Sequence, residues 1–188
     1  MAKVGMEYVC SAELEENKET GEVTYKNHKY WGRSSAFNIS PNANDVDDWG
    51  DDGIAESDKS LISLGISVEL NENTLEVESS ILGHEYDEET GEMTVSANDI
   101  APYVGLGFVG KSLRNNKRIF RGVFFRKVQF STPGDDNQTK TESTTFNHST
   151  YEGKAYPIGE DLKIQDKKEF DTLAEAKAWL DKKLGKTA

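Results

Sequence analysis

The chain has 188 residues and a mass of 21.0 kDa, enough for a single domain with one sizeable core but cramped for two. Its 22 Lys and Arg stand against 34 Asp and Glu, a formal charge of −12 with a pI near 4.7; this argues against a general nucleic-acid binder, which needs cations for phosphates, and against adhesion to anionic membrane. A hydrophobic fraction of 35% with 16 Gly and 4 Pro fits a thin core of strands joined by polar loops.

The opening residues carry no apolar stretch of the kind a signal peptide needs, and the lone Cys10 forbids an internal disulfide, so folding in a reducing cytoplasm is expected. Val4 to Leu14 reads as a somewhat irregular strand. A polar stretch covers 15–29, with a turn at Glu19-Thr20-Gly21, and Tyr25 to Trp31 is a weaker strand candidate. Arg33 to Ser40 is strand-like, and a long acidic loop follows over 41–60. Ile62 to Leu70 alternates throughout, with Ile62, Leu64, Ile66, Val68 and Leu70 on one side and Ser63, Gly65, Ser67 and Glu69 on the other, the pattern of a strand with one wet face.

A short helix is predicted over Leu75 to Leu82, opened by Asn73 or Thr74 and closed by Gly83. Tyr86 to Val95 reads as a hairpin around Glu88-Glu89-Thr90-Gly91. Tyr103 to Val109 and Arg118 to Phe130 follow as longer strands joined through Arg114-Asn115-Asn116-Lys117, and Thr141 to Tyr156 completes the set. The closing helix spans 171–184: Asp171 is placed as its cap, Leu173, Ala176, Leu180 and Leu184 share a face, and Gly185 stops it. Roughly eight strands at short spacing predict a mostly β domain, a sandwich or barrel-like fold with two helices, covering 1–188 as one unit.

Motifs for catalysis are lacking. His28, His84 and His148 are scattered, with no spacing that builds a metal site or a triad with Cys10, and no nucleophile elbow, Walker loop or zinc-protease motif occurs. The run Gly105-Leu106-Gly107-Phe108-Val109-Gly110 spells a dinucleotide fingerprint but lies within a strand that another strand follows; a phosphate site needs a helix N-terminus there, so these glycines are read as a bulge or a close backbone approach. Counted from Asp45, a calcium loop would use Asp45, Asp47, Trp49 and Glu56. Trp49 is not a ligand and no helix pair flanks the loop. No enzyme activity, metal or cofactor is therefore expected.

Charge is unevenly distributed. Residues 1–100 hold 6 Lys or Arg against 23 Asp or Glu, a net of −17, while 101–188 hold 16 against 11, a net of +5. Lys111 to Lys127 carries Lys111, Arg114, Lys117, Arg118, Arg121, Arg126 and Lys127 with no acid between them. A solvated basic hairpin is one reading. The other is that the basic patch of one protomer meets the acidic patch of the next.

Several segments resemble the major tail proteins, or tail tube proteins, of long-tailed, non-contractile phages of Gram-positive bacteria. They are Met1-Ala2-Lys3-Val4-Gly5-Met6-Glu7-Tyr8, the loop Pro41-Asn42-Ala43-Asn44-Asp45 through Asp51-Asp52-Gly53-Ile54-Ala55-Glu56-Ser57-Asp58, and Ile81-Leu82-Gly83-His84. Asp99-Ile100-Ala101-Pro102-Tyr103-Val104-Gly105-Leu106-Gly107-Phe108, Lys127-Val128-Gln129-Phe130 and the closing helix from Asp171 to Leu180 complete the series. None is a catalytic signature; their order along the chain carries the resemblance. It implies a β-sandwich with a flanking helix that assembles into stacked hexameric rings, the tube through which the genome is ejected. Such a protein resides in the virion tail after assembly in the host bacterial cytoplasm. Against shorter relatives in that family, the polar stretch over 15–29 is an insertion.

The partners implied are further copies of the chain, a tape measure, a tail terminator and distal tail or baseplate proteins, with DNA passing unbound and no membrane. The tube of a phage-tail-like bacteriocin would look the same. Candidate contacts between subunits or rings are Asp45, Asp47, Asp48, Trp49, Asp51, Asp52, Glu56 and Asp58 on the acidic side, with Arg114, Lys117, Arg118 and Arg121 on the basic side. Ser63, Ser67 and Glu69 are candidates for lining the bore. The alternative is a β-sandwich module that binds calcium or a partner through the acidic loop 45–56.

Overall fold

A computed structural model describes residues 2–17, 21–50, 53–72, 74–134 and 148–186, the side chains of residues 2, 3 and 46–57 lying outside that description. The described chain forms strands β1 (Ala2–Glu16), β2 (Val23–Tyr30), β3 (Ser34–Ala43), β4 (Val46–Gly50), β5 (Gly53–Asp58) and β6 (Leu61–Leu70). Helix α1 (Leu75–Leu82) separates these from β7 (Glu85–Asp87), β8 (Glu92–Thr94), β9 (Val104–Arg114), β10 (Lys117–Phe130), β11 (Ser149–Ala155) and β12 (Gln165–Phe170), and α2 (Leu173–Lys183) closes the chain. The protein is thus mostly β, with a large antiparallel sheet and two helices. No helix among the described residues is long and apolar enough to cross a membrane.

The main sheet runs β2-β1-β9-β10-β11-β6-β3, with β12 also paired to β10. Strand β10 organises it. Along one edge it pairs with β9; along the other, Phe120 to Phe125 pair with β12 and Val128 to Phe130 with β11. A register shift between Phe125 and Val128 marks the change of partner. A bulge of this kind bends a strand and adds twist, and the sheet folds back on itself: Phe37 of edge strand β3 stacks on Phe108 of β9 with centroids 4.1 Å apart and lies 5.8 Å from Phe125 of β10.

The principal core lies inside that fold. Trp31, Ile66, Val68, Leu70, Leu106, Phe125, Phe130 and Tyr151 are buried together, and Val77, Ile81 and Leu82 of α1 close the cluster. Its buried polar atoms are satisfied, since Trp31 Nε1 donates to Ser11 Oγ at 2.7 Å and Tyr151 Oη to Glu78 Oε2 at 2.9 Å. Helix α1 begins at Thr74, whose side chain accepts from the Val77 amide, and ends at Gly83 in the left-handed region (φ 76°). Both boundaries agree with the sequence reading.

A second core lies on the opposite face of β1, β9 and β10. There Ala176, Leu180 and Leu184 pack over Cys10, Ala12, Val109 and Phe124. The glycines of the fingerprint-like run explain how close α2 sits. A Cβ at Gly107 would come within 2.8 Å of Leu180, one at Gly105 within 2.7 Å of Tyr25, and one at Gly122 on the neighbouring strand within 2.7 Å of Trp179. Close backbone approach was one of the two sequence readings, and the flank of a helix, rather than its N-terminus, is what approaches.

Several sequence expectations change. The loop over 41–60 is largely a hairpin, β4 paired with β5 with Gly50 opposite Gly53, and β3 itself runs on to Ala43. Of the polar stretch over 15–29, residues 15 and 16 end β1 and 23–29 belong to β2, the expected strand from Tyr25, in which Tyr25 turns inward: it packs edge-on to Phe124 and donates its hydroxyl to the Arg126 carbonyl at 2.9 Å. Strand β12 was unforeseen. In α2 the cap is Thr172, whose hydroxyl accepts from the Glu175 amide, and not Asp171. The alternation of β6 fails at its start, because Asn42 pairs with Ser63 while Ala43 pairs with Leu61, leaving Ile62 as an extra, bulged residue. Ile62 is consequently 52% exposed and Ser63 is buried. Residues 141–147 of the expected strand Thr141 to Tyr156 lie outside the described residues.

Gly122→Ala should lower stability by about 1–3 kcal/mol through displacement of Trp179, read as the midpoint of urea unfolding. Gly110→Ala is the control, since its added Cβ meets nothing nearer than 3.7 Å and should shift stability by no more than about 0.5 kcal/mol. Equal shifts would contradict the close approach of α2.

Candidate self-assembly surface

The outward face of β11, β6 and β3 is built in rungs. Asn38, Ser67 and Glu152 stand side by side, then Ser40, Gly65 and Lys154, then Ala36, Glu69 and Thr150. Asn38, Ser40, Glu152, Lys154 and Thr150 are exposed, and Ser67 and Glu69 half-buried. Small polar side chains predominate, with two carboxylates and one ammonium among the nine. Ser63, expected on this wet face, is instead buried and accepts from Asn42 Nδ2 at 3.3 Å.

Among the described residues, each of β2 and β3 has one neighbour in the main sheet, so each presents backbone amides and carbonyls along its other side. Beside β3 lies a cleft of about 740 Å³, bounded by Ser35 to Ser40, Met6, Phe108 and Val123, with Lys111, Arg121 and Lys167 at its lining. Such an edge, next to an apolar cleft, is a geometry that admits an added strand.

The acidic hairpin extends the β3–β6 pair. Asn44 seats its base, donating from Nδ2 to Asp58 Oδ2 at 3.0 Å while its amide bonds the Ser60 carbonyl at 2.7 Å. Asp58 also accepts from the Ser60 amide. The Asn44 hydrogen bond, with those from Ser60, holds the Asp58 carboxyl below its ordinary value. Asp45 is exposed, 3.6 Å from Lys59 Nζ. The register sets Asp47 opposite Ser57 and Asp48 opposite Glu56, and like charges facing across a ladder oppose its closure. The side chains of Asp47, Asp48, Trp49 and Glu56, and all of Asp51 and Asp52, lie outside the described residues. Among the described residues no three His, Cys, Asp or Glu are grouped to hold a metal.

The basic run is divided by the fold. Asn115 and Asn116, both left-handed, make the β9–β10 turn and put Lys117 and Arg118 at its exposed end. Neither makes an ion pair among the described residues. Arg114 and Arg121 instead converge on Glu169 of β12, at 3.2 Å and 2.6 Å. Arg126 and Lys183 share Asp166, at 2.8 Å and 2.9 Å. Sequence reading missed these acceptors because they belong to the unforeseen β12. With Lys111 paired to Glu7 and Lys127 to Glu16, five of the seven cations of the run are engaged within the protomer, and the part without an ion pair among the described residues contracts to Lys117 and Arg118 at the turn.

The segments that carry the family resemblance also meet. A Cβ on Gly83 would strike the Ile100 carbonyl at 2.4 Å, so the helix end and the 99–108 segment pack backbone to backbone. His84 Nδ1 lies 2.7 Å from Asp99 Oδ2. Gln129 Nε2 donates to the Ala101 carbonyl at 2.9 Å, and Lys127 Nζ sits 4.5 Å above the Tyr103 ring. Three of the quoted motifs form one structural joint. Of the remaining candidates for chemistry, Cys10 is fully buried, burial pushes its thiol pKa up, and its Sγ faces the Gly107 carbonyl. His148 is exposed.

No family profile matches the chain, and no curated protein is similar to it.

The Arg121 hydrogen bond holds Glu169 below its ordinary carboxyl value of 4.5, with Arg114 adding its charge. The folded chain therefore binds this proton more weakly than the unfolded one, so the stability due to Glu169 is present above about pH 4.5 and is lost as the pH falls through the folded value. Glu169→Gln should lower the urea midpoint at pH 7, and the gap from the parent should close by about pH 3. A gap of constant size would show that the pairing contributes nothing.

Proposed function

We propose that this protein is a structural subunit of a phage tail tube, or of a phage-tail-like bacteriocin, that assembles with itself into stacked hexameric rings. The observation that carries the reading is the pairing of a small-residue polar sheet face with unpaired strands at the sheet's two ends. A ring needs each subunit to offer two different, complementary margins, the heterologous contact that repeats until it closes or extends. Strands β2 and β3 are such margins. The open edges that endanger a monomer become joints in an assembly.

The polar face of β11, β6 and β3 suits a wet bore. Ser67 and Glu69 are retained as bore-lining residues, while Ser63 drops out because it is buried, hydrogen-bonded to Asn42 beside it. Carboxylates there repel phosphates, so a protomer of net charge −12 would let DNA pass without holding it. The acidic hairpin supplies the contact between rings. Its Asp48–Glu56 register favours a cationic surface brought from outside, and Lys117 and Arg118 offer one. In this reading the protein is not an enzyme; its partners are its own copies, a tape measure, a terminator and baseplate proteins, and it belongs to the virion.

Concentrated protein viewed by negative-stain microscopy should show rings or tubes, and a strictly monomeric species at millimolar concentration would overturn the reading. Replacing residues 46–57 by a two-residue turn should leave a folded protomer, because the Asn44 base and the β3–β6 ladder lie outside the deletion, yet reduce tube yield at least tenfold. The double variant Lys117→Glu, Arg118→Glu should do the same. Normal tubes from both would remove the charge contact while leaving the sheet-edge contact standing.

A further inference from the structure

Two strands depart from regular geometry at the same place. Tyr8 of β1 and Asn27 of β2 are non-glycine residues in the left-handed region, at φ 59° and 53°, a conformation that costs on the order of 1 kcal/mol or more and persists only where surroundings enforce it. Tyr8 lies at the register shift between Glu7 and Cys10, and Asn27 immediately precedes His28. Both irregularities serve one carboxylate. Tyr8 donates its hydroxyl to Asp181 Oδ1 at 2.6 Å, and His28 Nε2 lies 3.3 Å from the same oxygen.

We propose that Tyr8, His28 and Asp181 form an acid-sensitive clamp that fastens α2 to strands β1 and β2 of the sheet. The His28 side chain is only 10% exposed, and its Nε2 is buried without a hydrogen bond of good geometry. The groups facing it are few. From α2 comes Asp181, and from just beyond α2 comes Lys186, 3.5 Å from Asp181 Oδ2. From β1 come Tyr8 and the buried Cys10. Tyr30 of β2 stacks on Tyr8 with centroids 5.4 Å apart, and Lys177 of α2 lies 5.0 Å over the Tyr8 ring while pairing with Glu7.

A proton on His28 would thus meet one carboxylate that is already shared with Tyr8 and Lys186, in a place with little water. Neutral imidazole fits; imidazolium does not. Burial lowers the His28 pKa from its ordinary 6.5, Asp181 opposes that shift and Lys186 adds to it. Because the folded chain binds this proton more weakly than the unfolded one, the clamp is fully stabilising above pH 6.5 and weakens as the pH falls through the folded value. Separation of β2 from α2 would give the imidazolium water, and would uncover the glycine face at Gly105 and Gly107. The inference is independent of the tail tube reading.

Hydrogen exchange of the full chain, corrected for intrinsic rates, tests it at pH 7.5 and 5.0. Protection of α2 should fall by about tenfold more than protection of β6, and in His28→Gln the two should change together. The same acid response in parent and variant would overturn the clamp. Proton NMR titration of the three histidines in the parent chain is the second reading, which holds whether or not the variant folds. His28 should titrate below the ordinary histidine value of 6.5, and titration at or above that value would equally overturn the proposal.

Discussion

Where the β9–β10 ladder is covered on both faces, by the core under β3 and β6 on one side and by α2 on the other, its residues must be apolar or small. The sequence of the ladder follows from that. Val104, Leu106, Val123 and Phe125 point into the main core. The alternate positions are occupied by Gly105, Gly107 and Gly122, where any Cβ would collide with Tyr25, Leu180 or Trp179. Removing the side chain on one face lets a helix lie close on a sheet that is already packed on the other. The remaining architecture is arranged around this double cover: α2 needs the β1–β2 hairpin to hold its far side, and β10 needs β12 to extend the sheet beneath it.

What the sequence discloses follows the strength of the local signal. Helix α1 is legible because a Thr cap and a left-handed Gly bracket it, and β6 because its alternation is almost unbroken. The failures have specific causes. Strand β12 reads Gln165-Asp166-Lys167-Lys168-Glu169-Phe170, which carries four consecutive charges and has no apolar period; it is a strand because β10 offers it a ladder and its acids meet Arg114, Arg121, Arg126 and Lys183. The β4–β5 hairpin is hidden for a similar reason, Asp being a poor strand former. Ile62 loses its inward place through a bulge, and no period-2 reading can register one extra residue. Of the candidate surface, the acidic and basic segments were visible in the sequence. Their internal acceptors were not, because these depend on which strands become neighbours.

The charge split of −17 and +5 also changes in meaning once the fold is known. Part of the basic half is consumed in stitching β12 and α2 to β10, through Glu169 and Asp166. In the acidic half the register sets Asp48 opposite Glu56, and Asp45 and Asp58 at the base of the hairpin are exposed. In the proposed assembly this charge, the strands at the sheet's ends and the polar outward face are completed by neighbouring subunits.

The proposed orientation of the polar face is open to direct measurement. Cys10 is fully buried, so Ser67→Cys introduces one accessible thiol at the middle of that face. In dispersed protomers it should react with a small maleimide and with a protein-sized maleimide conjugate alike. After assembly, the small reagent should still react and the large one should be excluded, as for a thiol inside a narrow bore. Equal reaction of the large conjugate with assembled and dispersed protein would place Ser67 on the outside and contradict the account.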